Sequence, residues 1–191
     1  MKRTIGMLAL AVWLVVPGQA WAQESATVPE ASPSAGTAPN GSLGFHRIEA
    51  PLGIRWWFGS QKIGLDLGLG YSSTEAGDER FSDFAIDAGI PIALKRWNRL
   101  SFLLRPGILY VSEQVDVEAG PGVTKENDTT VAILAELEAE VFLADRLSVS
   151  AAHGFGIITE DPALGDSTTD YGTIGSNFSH IGFHLYLWGG E

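Results

Sequence analysis

The chain has 191 residues and a formal net charge of −11, and it contains no cysteine. The lack of cysteine excludes a disulfide framework and a lipid anchor attached to an N-terminal cysteine. The excess of acidic residues argues against binding to nucleic acid and against electrostatic attachment to an anionic lipid surface.

The first 22 residues have the pattern of a secretory signal peptide. Lys2 and Arg3 precede an apolar stretch at residues 5–16, and Ala20-Trp21-Ala22 forms a small-x-small cleavage site. The stretch is shorter than the roughly 20 apolar residues of a transmembrane helix. We therefore predict a cleaved signal peptide at residues 1–22. The mature chain would have 10 basic and 23 acidic residues, a formal charge of −13.

Residues 23–42 differ in composition from the rest of the chain. Pro29, Pro33 and Pro39 lie among Ala, Ser, Thr and Gly, with almost no large apolar residue. Such a segment cannot form a hydrophobic core, so we predict a disordered linker. The remaining residues 43–191 are enough for one domain.

Seven segments of this domain alternate between apolar and polar residues with a period of two, which predicts β-strands. They are residues 50–58, 62–71, 83–94, 100–111, 131–143, 147–157 and 178–188. A membrane barrel with both ends on one side needs an even number of strands. We therefore expect an eighth strand in residues 42–49, with the chain reversing near Ala50-Pro51.

The two faces of these segments favour a membrane barrel over a soluble one. The apolar faces are broad, whereas the opposite faces carry glycine, serine and charged residues. In a membrane barrel the first face contacts lipid and the second lines the lumen. Short connections (59–61, 95–99 and 144–146) alternate with long ones (72–80, 112–130 and 159–176). The predicted fold class is all-β, an antiparallel up-and-down transmembrane β-barrel of eight strands with short periplasmic turns and long external loops.

Aromatic residues lie near the ends of the predicted strands. Those beside short turns or the C-terminus are Trp56, Phe58, Trp97, Phe142 and Trp188, and those beside long connections are Tyr71, Tyr110 and Phe155. These positions predict two aromatic girdles, one at each membrane surface.

The inward faces predict an ion-pair network in the lumen. Its predicted members are Arg55, Asp66, Asp83, Asp87, Arg105, Glu136, Glu138, Glu140, His180 and His184. Because an unpaired buried carboxylate is costly, we expect Arg55 or Arg105 to pair with at least one of the three glutamates. The architecture is porin-like in outline, but about eight strands leave room only for side chains, so we expect no aqueous pore.

A catalytic or metal site in the lumen has weaker support. His180 and His184 share a face with Tyr186, and Ser148 and Ser150 lie on a neighbouring strand, so a histidine–serine–acid site is an alternative. Residues four apart in a strand are about 13 Å apart, too far for the two histidines to bind one metal ion. We predict no catalytic residue, no metal and no cofactor.

The chain resembles the small eight-stranded outer-membrane barrels, namely the OmpA-like transmembrane domain and the OmpX/Ail-type proteins. The resemblance covers residues 43–191 and rests on strand alternation, loop alternation, the girdles and the final strand I-G-F-H-L-Y-L-W. Members usually end in an aromatic residue, whereas here Trp188 is followed by Gly189-Gly190-Glu191. The resemblance implies contact with outer-membrane lipid and lipopolysaccharide, and insertion by the outer-membrane assembly machinery.

The predicted function is that of a non-enzymatic β-barrel in the outer membrane of a Gram-negative bacterium. It would act through residues 112–130 and 159–176, by adhesion, by binding an extracellular partner or by supporting the envelope. One alternative is a lipid-modifying outer-membrane enzyme. Lipid A deacylases carry a serine two residues after the histidine, where this chain has Gly182 after His180. The other alternative is a soluble periplasmic barrel that binds a ligand.

Overall fold

The computed structural model describes residues 40–76, 79–119, 122–173 and 179–189. The predicted signal peptide and residues 23–39 of the predicted linker lie outside the described residues. Gly41 and Ser42 already belong to a strand, so the barrel domain begins before the predicted residue 43. In the described part of the chain, no helix is long and apolar enough to cross a membrane.

Ten β-strands make up the described structure, and all their pairings are antiparallel. The strands are β1 (Gly41–Phe45), β2 (Leu52–Phe58), β3 (Ile63–Ala76), β4 (Glu79–Gly89), β5 (Ile92–Arg96), β6 (Leu100–Ala119), β7 (Gly122–Ala144), β8 (Leu147–Asp161), β9 (Thr168–Gly172) and β10 (Ser179–Trp188). Their order in the sheet is β10-β1-β2-β3-β4-β6-β7-β8-β9. An additional pairing between β8 and β10 closes the sheet into a barrel.

The ten strands occupy eight positions around the barrel. β4 and β5 both lie between β3 and β6, and they are separated at Ile90-Pro91, where proline has no N–H to donate to a neighbouring strand. β9 and β10 pair with successive parts of β8. The predicted closed, up-and-down, eight-stranded barrel is therefore confirmed.

Side-chain burial follows the predicted alternation. In the central part of β7, Glu136 is 0 % exposed and its neighbour Leu137 is 59 % exposed. The same pattern recurs along β8, where every second side chain from Ser148 to Ala152 is buried. The small and charged faces thus line the lumen, and the apolar faces form the outer wall.

Two apolar clusters lie inside the barrel, one on each side of the charged residues. The first consists of Trp57, Leu103 and Tyr186, packed against Ala93 and Phe142 near the short turns. The second consists of Leu109, Ala132, Leu134 and Ile158, packed against Val111 toward the long connections. These clusters fill the lumen above and below its charged middle, as expected for a barrel of this size.

The predicted long loops are largely β-structure, which corrects the expectation from sequence. β3 and β4 pair as far as Ala76 and Glu79, and β6 and β7 pair in continuous register as far as Ala119 and Gly122. β8 reaches Asp161, and β9 lies within the predicted loop 159–176. In β3, β7 and β9 polar residues occupy both faces there, so no apolar face marks these strands. β6 keeps a short alternation, with Val115 and Val117 between Gln114, Asp116 and Glu118, so its extension beyond residue 111 could be read from the sequence.

The connection between β1 and β2 folds into the barrel. His46 and Arg47 are each 1 % exposed, and Ala50 is fully buried. Gly70 makes room for this segment, because a Cβ atom at that position would lie 1.9 Å from the carbonyl oxygen of Glu49. The predicted eighth strand is thus present but short, and residues 46–51, rather than Ala50-Pro51 alone, reverse the chain.

Candidate functional site in the charged lumen

Arg105 lies at the centre of the charged lumen. Its Nε donates to Asp66 at 2.9 Å, its Nη2 to Asp87 at 2.7 Å and its Nη1 to Glu136 at 2.7 Å. All four side chains are 0 % exposed. The expected pairing between an inward arginine and a β7 glutamate is confirmed.

Arg55 holds the neighbouring part of the network, closer to the short turns. It donates twice to Asp66, from Nε and Nη2 at 2.8 Å each, and its Nη2 also donates to Glu138 at 2.8 Å. Its Nη1 lies 3.5 Å from Glu140. Planar, two-point contacts of this kind fix the orientation of both partners, so Arg55 ties β2 to β3 and across the lumen to β7.

His46 and Arg47 complete the network, and the sequence analysis did not assign them to the lumen. Arg47 donates to Glu136, and the Nε2 of His46 lies 2.9 Å from Asp87. The Nδ1 of His180, on β10, lies 3.3 Å from the carboxylate of Glu136. The charge imbalance of the predicted network could have revealed His46 and Arg47. That network had six acidic residues and only two arginines, and buried carboxylates require partners.

Two predicted site residues lie elsewhere. Asp83 is half-buried near the long connections, outside the ion-pair network, and accepts a hydrogen bond from Ser72 at 2.7 Å. Phe142 is not in the outer girdle: its ring centroid lies 5.4 Å from that of Tyr186 inside the barrel. Its position is two residues after Glu140, so strand geometry points both side chains to the same face.

The other predicted girdle residues lie on the outer wall. They are Trp56, Phe58, Trp97 and Trp188 near the short turns, and Tyr71, Tyr110 and Phe155 nearer the long connections. The rings of Trp56 and Trp188 are 6.3 Å apart, on β2 and on β10 across the intervening β1.

His184 lacks the partners that the alternative histidine–serine–acid site would need. It is buried, its Nδ1 lies 3.7 Å from Glu140, and neither ring nitrogen has a hydrogen-bond partner within the described structure. Ser148 instead donates to Glu140 at 2.6 Å. A nucleophilic serine needs a hydrogen bond to its base, and this arrangement does not provide one. Within the same described ranges, no group of three or more His, Asp and Glu could hold a metal ion.

Tyr186 provides a test of the part of the lumen near the short turns. Its hydroxyl donates to Glu140 at 2.9 Å and accepts a hydrogen bond from the Nε1 of Trp57 at 3.2 Å. Tyr186→Phe should lower the free energy of unfolding by about 1–3 kcal/mol, because it removes a partner from each of two buried groups. Urea unfolding in detergent measures the change. Tyr171→Phe, at a side chain 78 % exposed, is the matched control, and equal losses in both variants would contradict the assignment.

The chemistry available to this site is mutual neutralisation. Five buried carboxylates meet three guanidinium groups and three histidines within hydrogen-bond or ion-pair distance, and apolar clusters close the space at both ends. Such an arrangement holds the strands of the barrel in one register. No family model, curated protein or solved structure matches this chain.

Proposed function

We propose that the protein is a non-enzymatic β-barrel of the Gram-negative outer membrane, with a lumen filled by side chains and a partner-binding surface at its long-connection end. The observation that carries the proposal is the belt of large apolar side chains exposed on the outer wall. It includes Ile54, Leu67, Ile86, Ile108, Leu137 and Phe183. Soluble monomers rarely expose a continuous apolar surface of this extent, whereas lipid covers it in a membrane.

Three further features support a membrane location. The girdle residues occur near both ends of the apolar belt, where aromatic rings favour the membrane–water interface. Short turns join the strands at one end, whereas the β3–β4 and β6–β7 hairpins project at the other, where outer-membrane barrels carry their external loops. The pattern of residues 1–22 is that of an export signal. The assembly machinery and lipopolysaccharide remain part of this proposal as partners.

The surface for an external partner is the ribbon formed by residues 114–119 of β6 and 122–128 of β7. β4 pairs with β6 only up to Glu113, and β8 pairs with β7 only up to Thr129. The ribbon therefore extends about 20 Å beyond its neighbours, at about 3.3 Å per residue. Within the ribbon, Lys125 pairs with Asp116, and its Nζ lies 4.6 Å from the ring centroid of Phe81. A projecting element on a rigid barrel is a suitable place for recognition.

The location is tested by fractionation and by gel mobility. We expect the mature protein in the outer-membrane fraction, soluble only with detergent, and we expect its mobility in SDS to change on boiling, because the closed barrel resists unfolding by the detergent. Osmotic-shock fluid is the control fraction. A monodisperse protein purified from that fluid without detergent would contradict the proposal, because the apolar belt would then be exposed to water.

A further inference from the structure

We propose that the short-turn end of the barrel binds the headgroups of anionic phospholipids. The surface is a ring of five cations, Lys62, Lys95, Arg96, Arg99 and Arg146, which we call the basic rim. This inference rests on the proposed function, because it requires that the barrel lie in a membrane.

The five residues come together only through the fold. Lys62 lies in the β2–β3 turn, Lys95 and Arg96 end β5, Arg99 lies in the β5–β6 turn and Arg146 in the β7–β8 turn. Backbone hydrogen bonds hold these turns: the N–H groups of neighbouring strands donate to the carbonyl oxygens of Lys62, Arg99 and Arg146 at 2.7–2.8 Å. The turns all occur at one end of an up-and-down barrel, so cations from three connections share one surface.

The charges of the basic rim are not neutralised by the protein. All five side chains are exposed, and among the described residues none of them lies within ion-pair distance of a carboxylate. Asp145 is the only acidic residue in the sequence of these turns and of β5. Two of the cations lie over aromatic rings instead, Lys95 at 5.9 Å from Trp97 and Arg96 at 4.4 Å from Trp57. Their positive charge is thus available to a ligand.

The opposite end of the barrel is acidic. Its described acidic residues include Glu49, Glu75, Asp83, Glu113, Glu126, Asp128, Glu160, Asp161, Asp166 and Asp170. The exposed basic side chain described there is Lys125, in the ribbon. The net charge of −11 is therefore a sum over two ends of opposite sign. The argument from net charge against attachment to an anionic lipid surface does not apply to the basic rim.

The position of the basic rim fits a phospholipid headgroup. Exposed aromatic residues of the girdle, Trp97 among them, lie at the same end, and such rings mark the level of the headgroups. Lysine and arginine have long stems that can follow the apolar wall while their charges reach a phosphate. The short-turn end is the proposed periplasmic end. The leaflet there is made of phospholipids, so its anionic members are the ligand to which this surface is suited.

The test measures which lipid the barrel selects. The protein is refolded into phosphatidylcholine vesicles that contain a trace of spin-labelled phosphatidylglycerol or spin-labelled phosphatidylcholine. Electron spin resonance then gives the fraction of each label held at the protein surface. We expect a several-fold preference for phosphatidylglycerol at low ionic strength, and a preference near one at 0.5 M salt, roughly three to four times physiological ionic strength, where surface charges are screened.

Charge removal locates the preference. The combined variant Lys62→Gln, Lys95→Gln, Arg99→Gln and Arg146→Gln should lose most of the preference, and Arg96 is retained because it packs over Trp57. Lys125→Gln, at the acidic end, is the control and should keep the full preference. If the combined variant does not refold, Lys62→Gln with Lys95→Gln, and Arg99→Gln with Arg146→Gln, should each lower the preference by about half in log units.

The outcomes separate this inference from the proposed function. Equal binding of the two lipids by the wild-type barrel, or an unchanged preference in the charge variants, overturns the basic rim as a lipid site while the membrane barrel stands. Heat-modifiable mobility of the same samples reports insertion. A protein that never inserts into vesicles and stays in solution overturns the proposed function itself, and the inference with it.

Discussion

Arg105→Met should lower the free energy of unfolding by about 3–5 kcal/mol, the usual cost of leaving buried charges without their partner. Three carboxylates lose a donor at once, those of Asp66, Asp87 and Glu136. Methionine occupies much of the volume of arginine and carries no charge, so the loss reports electrostatics more than packing. Urea titration of the barrel in detergent or in vesicles, followed by tryptophan fluorescence, measures the change.

The matched control for this variant is Arg146→Met. Arg146 lies in the β7–β8 turn, is exposed, and forms no ion pair within the described part of the chain. Exposed substitutions of this kind usually change stability by less than about 0.5 kcal/mol. A loss at Arg105 no larger than the loss at Arg146 would mean that the inward register of β6 is wrong.

Gly70→Ala should also destabilise the barrel, by about 3 kcal/mol, the upper part of the usual range for overpacking. The added Cβ would lie 1.9 Å from the carbonyl oxygen of Glu49, and backbone atoms on both sides leave little freedom to adjust. The segment of residues 46–51 must then move. His46 and Arg47 would lose their positions beside Asp87 and Glu136.

Hydrogen exchange measured by mass spectrometry is the direct readout of that movement. We expect faster exchange in residues 46–51 of the Gly70→Ala protein than in the wild type, because local opening governs exchange. Gly172→Ala is the matched control, since a Cβ at that position would meet nothing within 4 Å. Both variants gain the same strand preference of alanine over glycine. Unchanged exchange in Gly70→Ala would show that the segment does not depend on this contact.

These two variants separate two roles of the lumen. Arg105 holds the strands together through charge, whereas Gly70 admits the β1–β2 connection that supplies His46 and Arg47. Both roles make the interior rigid, and the ribbon and the basic rim lie outside it. Changes to either surface should therefore alter binding while the barrel stays folded.

Periodicity alone predicted the fold class because strands between an apolar outer wall and a charged, filled lumen have two chemically different faces. In residues 131–143, apolar side chains alternate with Glu136, Glu138 and Glu140, and the structure buries those glutamates and exposes the apolar side chains in between. The same information placed Arg55 and Arg105 in the lumen. It also contained the correct side for Phe142, which shares the face of the glutamates, although the residue was assigned to the girdle by its position beside a short turn.

Where the two faces of a strand have similar surroundings, the sequence shows little alternation between apolar and polar residues. β7 continues into the ribbon with polar residues on both faces, and β6 has only Val115 and Val117 as a short alternating signal. The predicted loop 112–130 is therefore mostly strand. Asp83 lies on an inward face, but at a height where it meets Ser72 rather than a buried arginine. Alternation specifies the side of a residue and says nothing about the depth at which it meets its partners.

By itself, the sequence determined that this chain forms antiparallel strands with an apolar side and a charged side, because a period of two follows directly from strand geometry. Only the tertiary structure decided which charges meet. His46 and Arg47 reach the lumen because β1 and β2 are short and their connection turns inward, a consequence of barrel closure that no local pattern encodes. The basic rim arises in the same way, since its cations are far apart in the chain and share a surface only once the strands are paired.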